Sequence, residues 1–378
     1  MEQPATLAIN DLANKKRDKG ERVYNLSVGE PMVHGSSALL DAATRAIEQD
    51  NTRYAPARGV PGLLDAVLRW MSQEYKALYS LEEVMVTCGG KHALWLACQS
   101  LIGSGDEVLI ISPYWVSYPS IIKSSGGVPV VVETFEKNDF KVSVDDLKSR
   151  ATGKTSLLIF NNASNPTGVI YTREEVASIL KFCKNNNITL ISDEVYSGLV
   201  YDDKEYVSCA SFKEYKDAVV IIQSCSKHFA MTGWRVGFLF GASNLIEKAS
   251  ILQSQTITGT STVSQYVALS AIENADEITS SVNAQMQKRR DVFVSEFNKL
   301  FPKPIKAPRS ALYAFVAMEN LGVDSSDSVE FCKDIINRIN VALVPGAPFG
   351  KDGYVRFSFG AGETEIKEAL EVLAKGIL

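Results

Sequence analysis

Short apolar runs alternate with helical patterns through the middle of the chain. Continuous apolar runs of four or five residues are typical of strands that are buried on both faces, as the strands of a parallel sheet are. The pattern therefore predicts a parallel sheet that is covered by helices. The runs are Val108–Ile111, Val128–Val132, Leu157–Phe160, Ile188–Ile191 and Val219–Ile222.

The segment from Glu174 to Cys183 has the pattern of an amphipathic helix between two of these strands. Acidic residues occupy its first turn and Lys184 lies near its end, which complements the helix dipole. Its apolar residues share one face. A strand, a helix and a second strand in this order predict a right-handed parallel crossover. The residues of the apolar face are Val176, Ile179, Leu180 and Cys183.

The pattern changes after about Ile272. A long charged helical segment around Met286 to Phe297 leads into mixed strands and helices, and the last predicted strand is Val355–Ser358. This tail is interpreted as a separate α+β unit that the N-terminal segment joins. We therefore expect a large domain at residues 40–275 and a small domain made of residues 1–39 and 276–378.

Composition indicates a soluble globular chain whose partners are small molecules. The chain has 378 residues, of which 46% are hydrophobic and 22% charged, and its net charge is −5. Such a charge gives no general attraction to nucleic acid or to an anionic membrane. Met1–Thr6 has neither a basic nor an apolar leader pattern, and no apolar stretch approaches the roughly 20 residues that span a bilayer. A cytoplasmic protein is expected.

The cysteines and histidines show no metal-site spacing. No CxxC pair occurs, and the histidines are His34, His92 and His228. We expect free thiols in a reducing compartment. The cysteines are Cys88, Cys98, Cys183, Cys209, Cys225 and Cys332.

The segment from Gln223 to Arg235 carries the clearest chemistry. It holds Lys227 in a loop of small residues, with Arg235 eight positions later. A lysine amine in such a loop can form a Schiff base, and the arginine can hold a phosphate.

Other unusual residues follow the predicted strands, where open parallel sheets bind ligands. Gly90 and Lys91 open a helical pattern after the strand at Val84–Thr87, which suits an anion site, although two glycines before a helix more often form only a tight turn. Asn165 lies in a polar loop that is also typical of a β-turn. Asp193 follows another strand, with an ordinary surface carboxylate as the alternative. Gly103–Val108 precedes its strand and is interpreted as a turn rather than a dinucleotide site.

Taken in order, these motifs resemble the fold type I pyridoxal-phosphate aminotransferases, most closely the bacterial aspartate aminotransferase type of class I/II. The resemblance runs from about Val23 to the C-terminus. It implies an α/β fold whose large domain has a mostly parallel seven-stranded sheet flanked by helices, with a smaller α+β domain. The matching segments are Tyr54–Pro56, Gly89–Lys91, Ser112–Pro119, Asn165–Gly168, Asp193–Tyr196, Ser224–Arg235 and Val355–Ser358.

The resemblance assigns catalytic roles to three residues. Lys227 is the expected Schiff-base lysine, and its amine, once freed by substrate, moves a proton from the substrate Cα to C4′ of pyridoxal 5'-phosphate. Asp193 is expected to pair with the pyridinium nitrogen and to keep it protonated. Tyr196, together with Asn165, is expected to hydrogen-bond the 3-oxygen of the ring.

The remaining assignments concern the phosphate, the ring face and the substrate. Ser224, Arg235 and the backbone around Gly90 and Lys91 are expected to bind the phosphate. The resemblance also implies that Tyr54 reaches in from the neighbouring subunit, and therefore a homodimer with a shared active site. Trp115 resembles the residue that stacks on the pyridine face, with a plain core aromatic as the alternative.

Substrate binding is assigned to one arginine. Arg356 is expected to hold the substrate α-carboxylate as a bidentate fork, in a pocket that Gly29, Asn165 and Trp115 also line. Two features depart from a simple match. Ser310–Tyr313 has Ser and Leu where the family usually has Gly and Phe, and His228 directly follows the lysine. His228 is interpreted as a loop or supporting side chain, because Lys227 already serves as the base.

The expected function is pyridoxal-phosphate-dependent transfer of an amino group from an L-amino acid to a 2-oxo acid by a ping-pong mechanism. Aspartate or an aromatic amino acid is the expected donor, and 2-oxoglutarate is the expected acceptor. One alternative is a lyase or cyclase of the same fold. Another is a cofactor-sensing module, which the absence of a helix-turn-helix pattern or basic N-terminal segment disfavours.

Overall fold

A computed structural model describes residues 5–33 and 36–377. Four residues of the segment Met1–Thr6, for which no leader pattern was found, lie outside the described residues, and so does His34. The helices of the described part are α1 (Ala5–Asp18), α2 (Ser37–Glu48), α3 (Pro61–Tyr75), α4 (Gly90–Leu101), α5 (Tyr118–Ser124), α6 (Val144–Arg150), α7 (Arg173–Asn185), α8 (Cys225–His228), α9 (Ser243–Thr256), α10 (Thr262–Glu273), α11 (Ala275–Leu300), α12 (Ser328–Ile339) and α13 (Glu363–Ile377).

A seven-stranded sheet forms the centre of the fold, with strand order β2-β8-β7-β6-β5-β3-β4. Five of its strands, β3 to β7, pair in parallel with one another, whereas β8 is antiparallel to both of its neighbours. The prediction of a mostly parallel seven-stranded sheet is therefore confirmed. Its strands are β2 (Val84–Thr87), β3 (Glu107–Ser112), β4 (Val128–Glu133), β5 (Thr155–Asn161), β6 (Thr189–Asp193), β7 (Val219–Ser224) and β8 (Gly237–Phe240).

Alternate residues of the central strands enter two different apolar clusters, one on each face of the sheet. On β5, Leu158 and Phe160 join the cluster that includes helix α7, whereas Leu157 and Ile159 join the cluster that includes helix α4. All four side chains are buried. Because successive side chains of a strand point to opposite faces, burial on both faces produces the continuous apolar runs of the sequence.

Helix α7 illustrates how local sequence sets an element. Thr172 caps its N-terminus, with the Thr172 hydroxyl accepting from the Glu175 N–H and the Glu175 carboxylate accepting from the Thr172 N–H. This reciprocal capping box satisfies two N–H groups that the first turn leaves unpaired. The apolar face predicted from the sequence is the buried face of the helix.

A separate antiparallel sheet has the order β11-β12-β9. Its strands are β9 (Tyr313–Ala317), β11 (Val344–Pro345) and β12 (Tyr354–Ser358). Near it, β1 (Tyr24–Asn25) pairs in parallel with β10 (Val341–Ala342), so the N-terminal segment contacts the C-terminal part of the chain. The division into domains at residues 39 and 275 stays a prediction. Within the described ranges, no helix is both long and apolar enough to cross a membrane.

An aromatic cluster attaches helix α11 to the antiparallel sheet. Phe293 is fully buried, and its ring centroid lies 5.4 Å from that of Phe357 and 5.9 Å from that of Phe297. Such rings supply a large part of the apolar area that a unit of this size buries. Phe357 lies on β12 next to Arg356, so this packing helps to fix the position of the strand that carries Arg356.

The substitution Phe293→Ala tests the importance of this cluster. We expect it to lower the free energy of unfolding by about 3 to 5 kcal/mol, because it removes a buried ring and leaves a cavity. Chemical denaturation followed by far-UV circular dichroism measures the change. Val128→Ala, which shortens a side chain that is 48% exposed, is the control. A loss for Phe293→Ala no larger than that of the control would contradict the prediction.

Candidate active site

A cavity of about 560 Å³ opens at the carboxyl edge of the central sheet. The loops after β2, β3, β5, β6 and β7 contribute to it, together with the loop after β1 and a side chain of β12. Every predicted site residue except Tyr54 lines it. These residues are Gly29, Gly90, Lys91, Trp115, Asn165, Asp193, Tyr196, Ser224, Lys227, Arg235 and Arg356.

One end of the cavity is a cradle for an anion. Helix α4 begins at Gly90, and its unpaired N–H groups and dipole favour a negative charge there. Arg235 lies so close that a Cβ on Gly89 would stand 2.6 Å from its Nη2 atom. The guanidinium donates to the Thr232 carbonyl, and among the described residues it has no carboxylate partner.

Lys91 adds a second cation to this end of the cavity. Its amine lies 4.8 Å from the centre of the Trp115 ring. Burial, and secondly the nearby Arg235, lower the pKa of Lys91 below its usual value. Two cations next to a helix N-terminus form a site that a dianion such as a phosphate ester would stabilise.

Asp193, the last residue of β6, carries a buried carboxylate without a cationic partner in the described part of the chain. The Tyr118 hydroxyl donates to its Oδ2 atom at 2.7 Å, and the Val195 N–H donates to Oδ1 at 3.4 Å. Burial raises the pKa of Asp193 to about 6, although both hydrogen bonds oppose the increase. A cationic ring nitrogen at this carboxylate would remove the cost of burying the charge.

Lys227 lies in α8, half-buried, and its Nζ donates to the Gly29 carbonyl. Desolvation lowers its pKa to about 8, while the Glu30 carboxylate opposes the decrease. The Glu30 carboxylate itself accepts a hydrogen bond from the Thr232 hydroxyl at 2.9 Å. An amine with a lowered pKa is neutral more often near neutral pH, which makes it a better nucleophile and base.

Arg356 lies on β12 and is buried. Its Nη1 donates to Asn165 Oδ1 at 3.2 Å and its Nη2 donates to the Ser27 carbonyl at 2.8 Å, whereas its Nε has no partner among the described residues. A buried guanidinium without a carboxylate beside it is suited to bind the carboxylate of a ligand. It faces the same cavity as Lys227.

The comparison with a family model is decisive at this point. Residues 21–373 match the model described as aminotransferase class I and II. The chain belongs to the class I and II aminotransferases. It is therefore an enzyme that transfers amino groups.

Relatives of the same family match over nearly the whole chain. The chain is 33% identical over 375 residues to a probable aspartate/prephenate aminotransferase of Aquifex aeolicus (strain VF5), covering 98% of this chain and 95% of that protein. It is 35% identical over 370 residues to an aspartate aminotransferase of Geobacillus stearothermophilus, with 97% and 94% covered. A structure of the Thermus thermophilus aspartate aminotransferase with maleate superposes with a TM-score of 0.94 at 31% identity, covering 100% of this chain and 97% of that one.

Three contributors to this aminotransferase cavity were missed by sequence reasoning. Tyr118 holds Asp193, Tyr313 lies beside Tyr196, and Glu30 acts on Lys227. Tyr118 and Tyr313 belong to segments that the sequence singled out, but no spacing rule indicates which distant side chain a phenol contacts. Their partners lie more than 70 residues away in the chain.

His228 does not line the cavity. Its ring packs edge-on against Trp70 at 5.1 Å and lies 4.8 Å from the Phe229 ring. Burial lowers the pKa of His228 to about 4, so the imidazole is neutral at ordinary pH. This environment agrees with the interpretation of His228 as a supporting side chain. The six cysteines are free, and no cluster suited to a metal ion occurs within residues 5–33 and 36–377.

The pH dependence of Lys227 labelling tests the electrostatics of the cavity. In the cofactor-free protein, we expect labelling of Lys227 by an amine-reactive reagent to reach half its maximal rate near pH 8, since burial lowers its pKa to about 8. A lysine in an unstructured model peptide, labelled in parallel, should reach half its maximal rate near pH 10.4. Peptide mass spectrometry across a series of pH values gives both profiles.

The variant Glu30→Gln tests the direction in which the Glu30 carboxylate shifts the pKa of Lys227. The Glu30 carboxylate stabilises the charged amine, so its removal should move the Lys227 midpoint to lower pH. A midpoint that rises in the variant, or a wild-type Lys227 profile that coincides with that of the model peptide, would show that this electrostatic account is wrong.

Proposed function

We propose that the protein is a pyridoxal-5'-phosphate-dependent aminotransferase that passes an amino group from an L-amino acid to a 2-oxo acid by a ping-pong mechanism at this cavity. One observation carries the proposal. The cavity combines the amine of Lys227, the unpaired carboxylate of Asp193 and the buried guanidinium of Arg356. The Lys227 amine would match the aldehyde of the cofactor, and the Asp193 carboxylate would match its ring nitrogen. The Arg356 guanidinium would match the carboxylate of the substrate.

The residues present fit pyridoxal 5'-phosphate. When bound, this cofactor supplies an electron-withdrawing ring that stabilises a carbanion at the substrate Cα. Arg235, Ser224 and the α4 N-terminus around Gly90 and Lys91 would hold its phosphate. Asp193 would hold the ring nitrogen in its protonated form, and Tyr118 would keep the carboxylate oriented.

The other roles concern protons and the substrate. Asn165 and Tyr196 would donate to the 3-oxygen, and Trp115 would cover the ring face. Arg356 would hold the substrate α-carboxylate, which fixes the Cα proton near Lys227. The lowered pKa of the Lys227 amine suits it to remove that proton near neutral pH.

Aspartate or an aromatic amino acid is the proposed donor, with 2-oxoglutarate as acceptor. Support comes from the relatives named as aspartate and aspartate/prephenate aminotransferases. The lyase or cyclase alternative is not favoured, because the full-length relatives and neighbouring structures are aminotransferases.

A homodimer with a shared active site, in the cytoplasm, completes the proposal. Tyr54 is 91% exposed and lies outside the cavity of its own subunit. Leu40 and Ile47, which are also exposed, lie seven residues apart on α2 and therefore share one face of that helix. An exposed aromatic side chain and an exposed apolar helix face are both surfaces that a second subunit would cover.

The substitution Lys227→Ala tests the proposed function. We expect the variant to bind no cofactor covalently and to transaminate at background rate, because the amine serves as both attachment point and base. Borohydride reduction followed by mass spectrometry measures attachment. Lys248→Ala, at an exposed position, is the control and should behave as the wild type. Near-normal turnover by Lys227→Ala would refute the assignment.

A donor screen identifies the reaction and the substrate class. The cofactor-loaded protein is mixed separately with aspartate, glutamate, alanine, phenylalanine, methionine and cystathionine, without a 2-oxo acid. Conversion to pyridoxamine phosphate supports transamination, and the fastest donor identifies the substrate class. Release of pyruvate and ammonia with the cofactor unchanged would support elimination instead.

A mixing experiment tests the shared site. Tyr54→Ala and Lys227→Ala are each expected to be impaired, but a hybrid dimer would hold one site with both native residues. Unfolding and refolding the two together should give about a quarter of wild-type activity, because half of the dimers are hybrids with one intact site. Activity no higher than the mean of the separately refolded variants would contradict a role for Tyr54 across the interface.

A further inference from the structure

Three buried side chains form a continuous link from one side of the cavity to the other. The Arg356 guanidinium carbon lies 4.2 Å from the centre of the Tyr313 ring. The Tyr313 hydroxyl lies 2.8 Å from the Tyr196 hydroxyl, and the two rings meet at 73°. We call these three residues the arginine–tyrosine link. Its members lie on β12, on β9 and in the segment after β6, so only the folded chain assembles it.

The hydrogen bonds of Tyr196 indicate that Tyr313 is the donor in the bond between the two hydroxyls. A phenol oxygen can accept two hydrogen bonds and donate one. Asn165 Nδ2 already donates to the Tyr196 oxygen at 3.4 Å. If Tyr313 donates as well, both acceptor positions of the Tyr196 oxygen are filled. The Tyr196 O–H group can then donate a hydrogen bond to a ligand in the cavity.

The charge of Arg356 favours this direction. Burial raises the pKa of both phenols, and the Arg356 cation opposes the increase at both. The Arg356 guanidinium lies over the Tyr313 ring, with its central carbon 4.2 Å from the ring centre, so the cation acts most directly on Tyr313 and favours its hydroxyl as the donor. Tyr313 also has little freedom to rotate away, because it is 2% exposed and a Cβ on Gly29 would overlap its hydroxyl.

We propose that Tyr313 is a positioning residue that transmits the occupancy of Arg356 to Tyr196, and through the Tyr196 hydroxyl to the 3-oxygen of the cofactor. The proposal rests on the proposed function, because it needs the cofactor in this cavity. Chains of hydrogen bonds strengthen one another, so a donor to Tyr196 makes Tyr196 a stronger donor in turn.

The link predicts how a carboxylate bound at Arg356 is sensed. Such a carboxylate neutralises the cation above the Tyr313 ring, which weakens donation from Tyr313 to Tyr196. Tyr196 then donates less strongly to the 3-oxygen. A donor to that oxygen stabilises its anionic form, so weaker donation raises the affinity for the proton near the attached Lys227 nitrogen.

The test is a pH titration of the visible absorbance of the cofactor-loaded protein, in the wild type and in Tyr313→Phe. The substitution keeps the ring against Arg356 and removes only the hydroxyl. We expect it to raise the pKa seen in the absorbance by about half a unit. Succinate and 3-phenylpropionate, two unreactive carboxylates, should raise this pKa in the wild type and raise it less in the variant.

The matched control is Tyr171→Phe. Tyr171 is also a buried tyrosine, but its hydroxyl accepts from the Val142 N–H outside the cavity, so its loss should leave the titration unchanged. The other charged groups of the cavity are the same in all these proteins, so they do not account for a difference. These groups are Glu30, Lys91, Asp193, Lys227 and Arg235.

A double-mutant comparison isolates the path through Tyr196. In a Tyr196→Phe background, adding Tyr313→Phe should change the pKa no further, because the acceptor of the Tyr313 hydroxyl is gone. An additive further change would overturn the proposal. So would a Tyr313→Phe titration equal to that of the wild type, or a pKa that falls.

Two further outcomes are distinguishable. If Tyr313→Phe does not fold, the wild type and Tyr196→Phe are compared alone, and an equal carboxylate-induced increase in both overturns the link. If the wild type acquires no visible absorbance with pyridoxal 5'-phosphate, the proposed function itself fails. If the protein binds the cofactor but the absorbance titration is the same in Tyr313→Phe as in the wild type, only the role proposed for Tyr313 is overturned.

Discussion

The parallel register of the central strands places the chemistry of this protein at one edge of the sheet. Asn161 at the end of β5 pairs with Asp193 at the end of β6, and Asp193 pairs with Ile222 near the end of β7. Because all three strands run in the same direction, the loops that follow them emerge side by side. Asn165, Tyr196 and Lys227 come from these loops, which explains why residues more than 30 positions apart share one cavity.

Unpaired charge is the second property of this edge. Arg235, Lys91 and Arg356 are cations without carboxylate partners among the described residues, and Asp193 is a buried carboxylate without a cation. Burying such groups is costly unless a ligand supplies the opposite charge. A cofactor with a phosphate and a cationic ring nitrogen, together with a substrate carboxylate, would satisfy all of them. The charges of the cavity therefore support the cofactor proposed for it.

The elements were predictable where burial imposes a simple period. The apolar runs of β5, β6 and β7 are continuous because those strands are covered on both faces, and the stripe of α7 follows from one buried face. Strand direction was less accessible. The run Gly237–Phe240 is as apolar as its neighbours, yet β8 is antiparallel to both, and nothing in a run of apolar residues records direction. Helix α1 has mostly polar residues and was not predicted.

The sequence by itself determined which residues are candidates for the site, since Lys227, Asp193, Asn165 and Arg356 lie in motifs with a recognisable order, and all four line the cavity. It also determined the class of sheet, because periodicity reports how many faces are buried. Only the tertiary structure decided which groups meet. The contacts of Tyr118 with Asp193, of Tyr313 with Tyr196 and of Glu30 with Lys227 depend on distances between distant segments, and no local pattern encodes such distances. The pKa values of the reactive groups were decided in the same way, since burial and neighbouring charge exist only after the chain has folded.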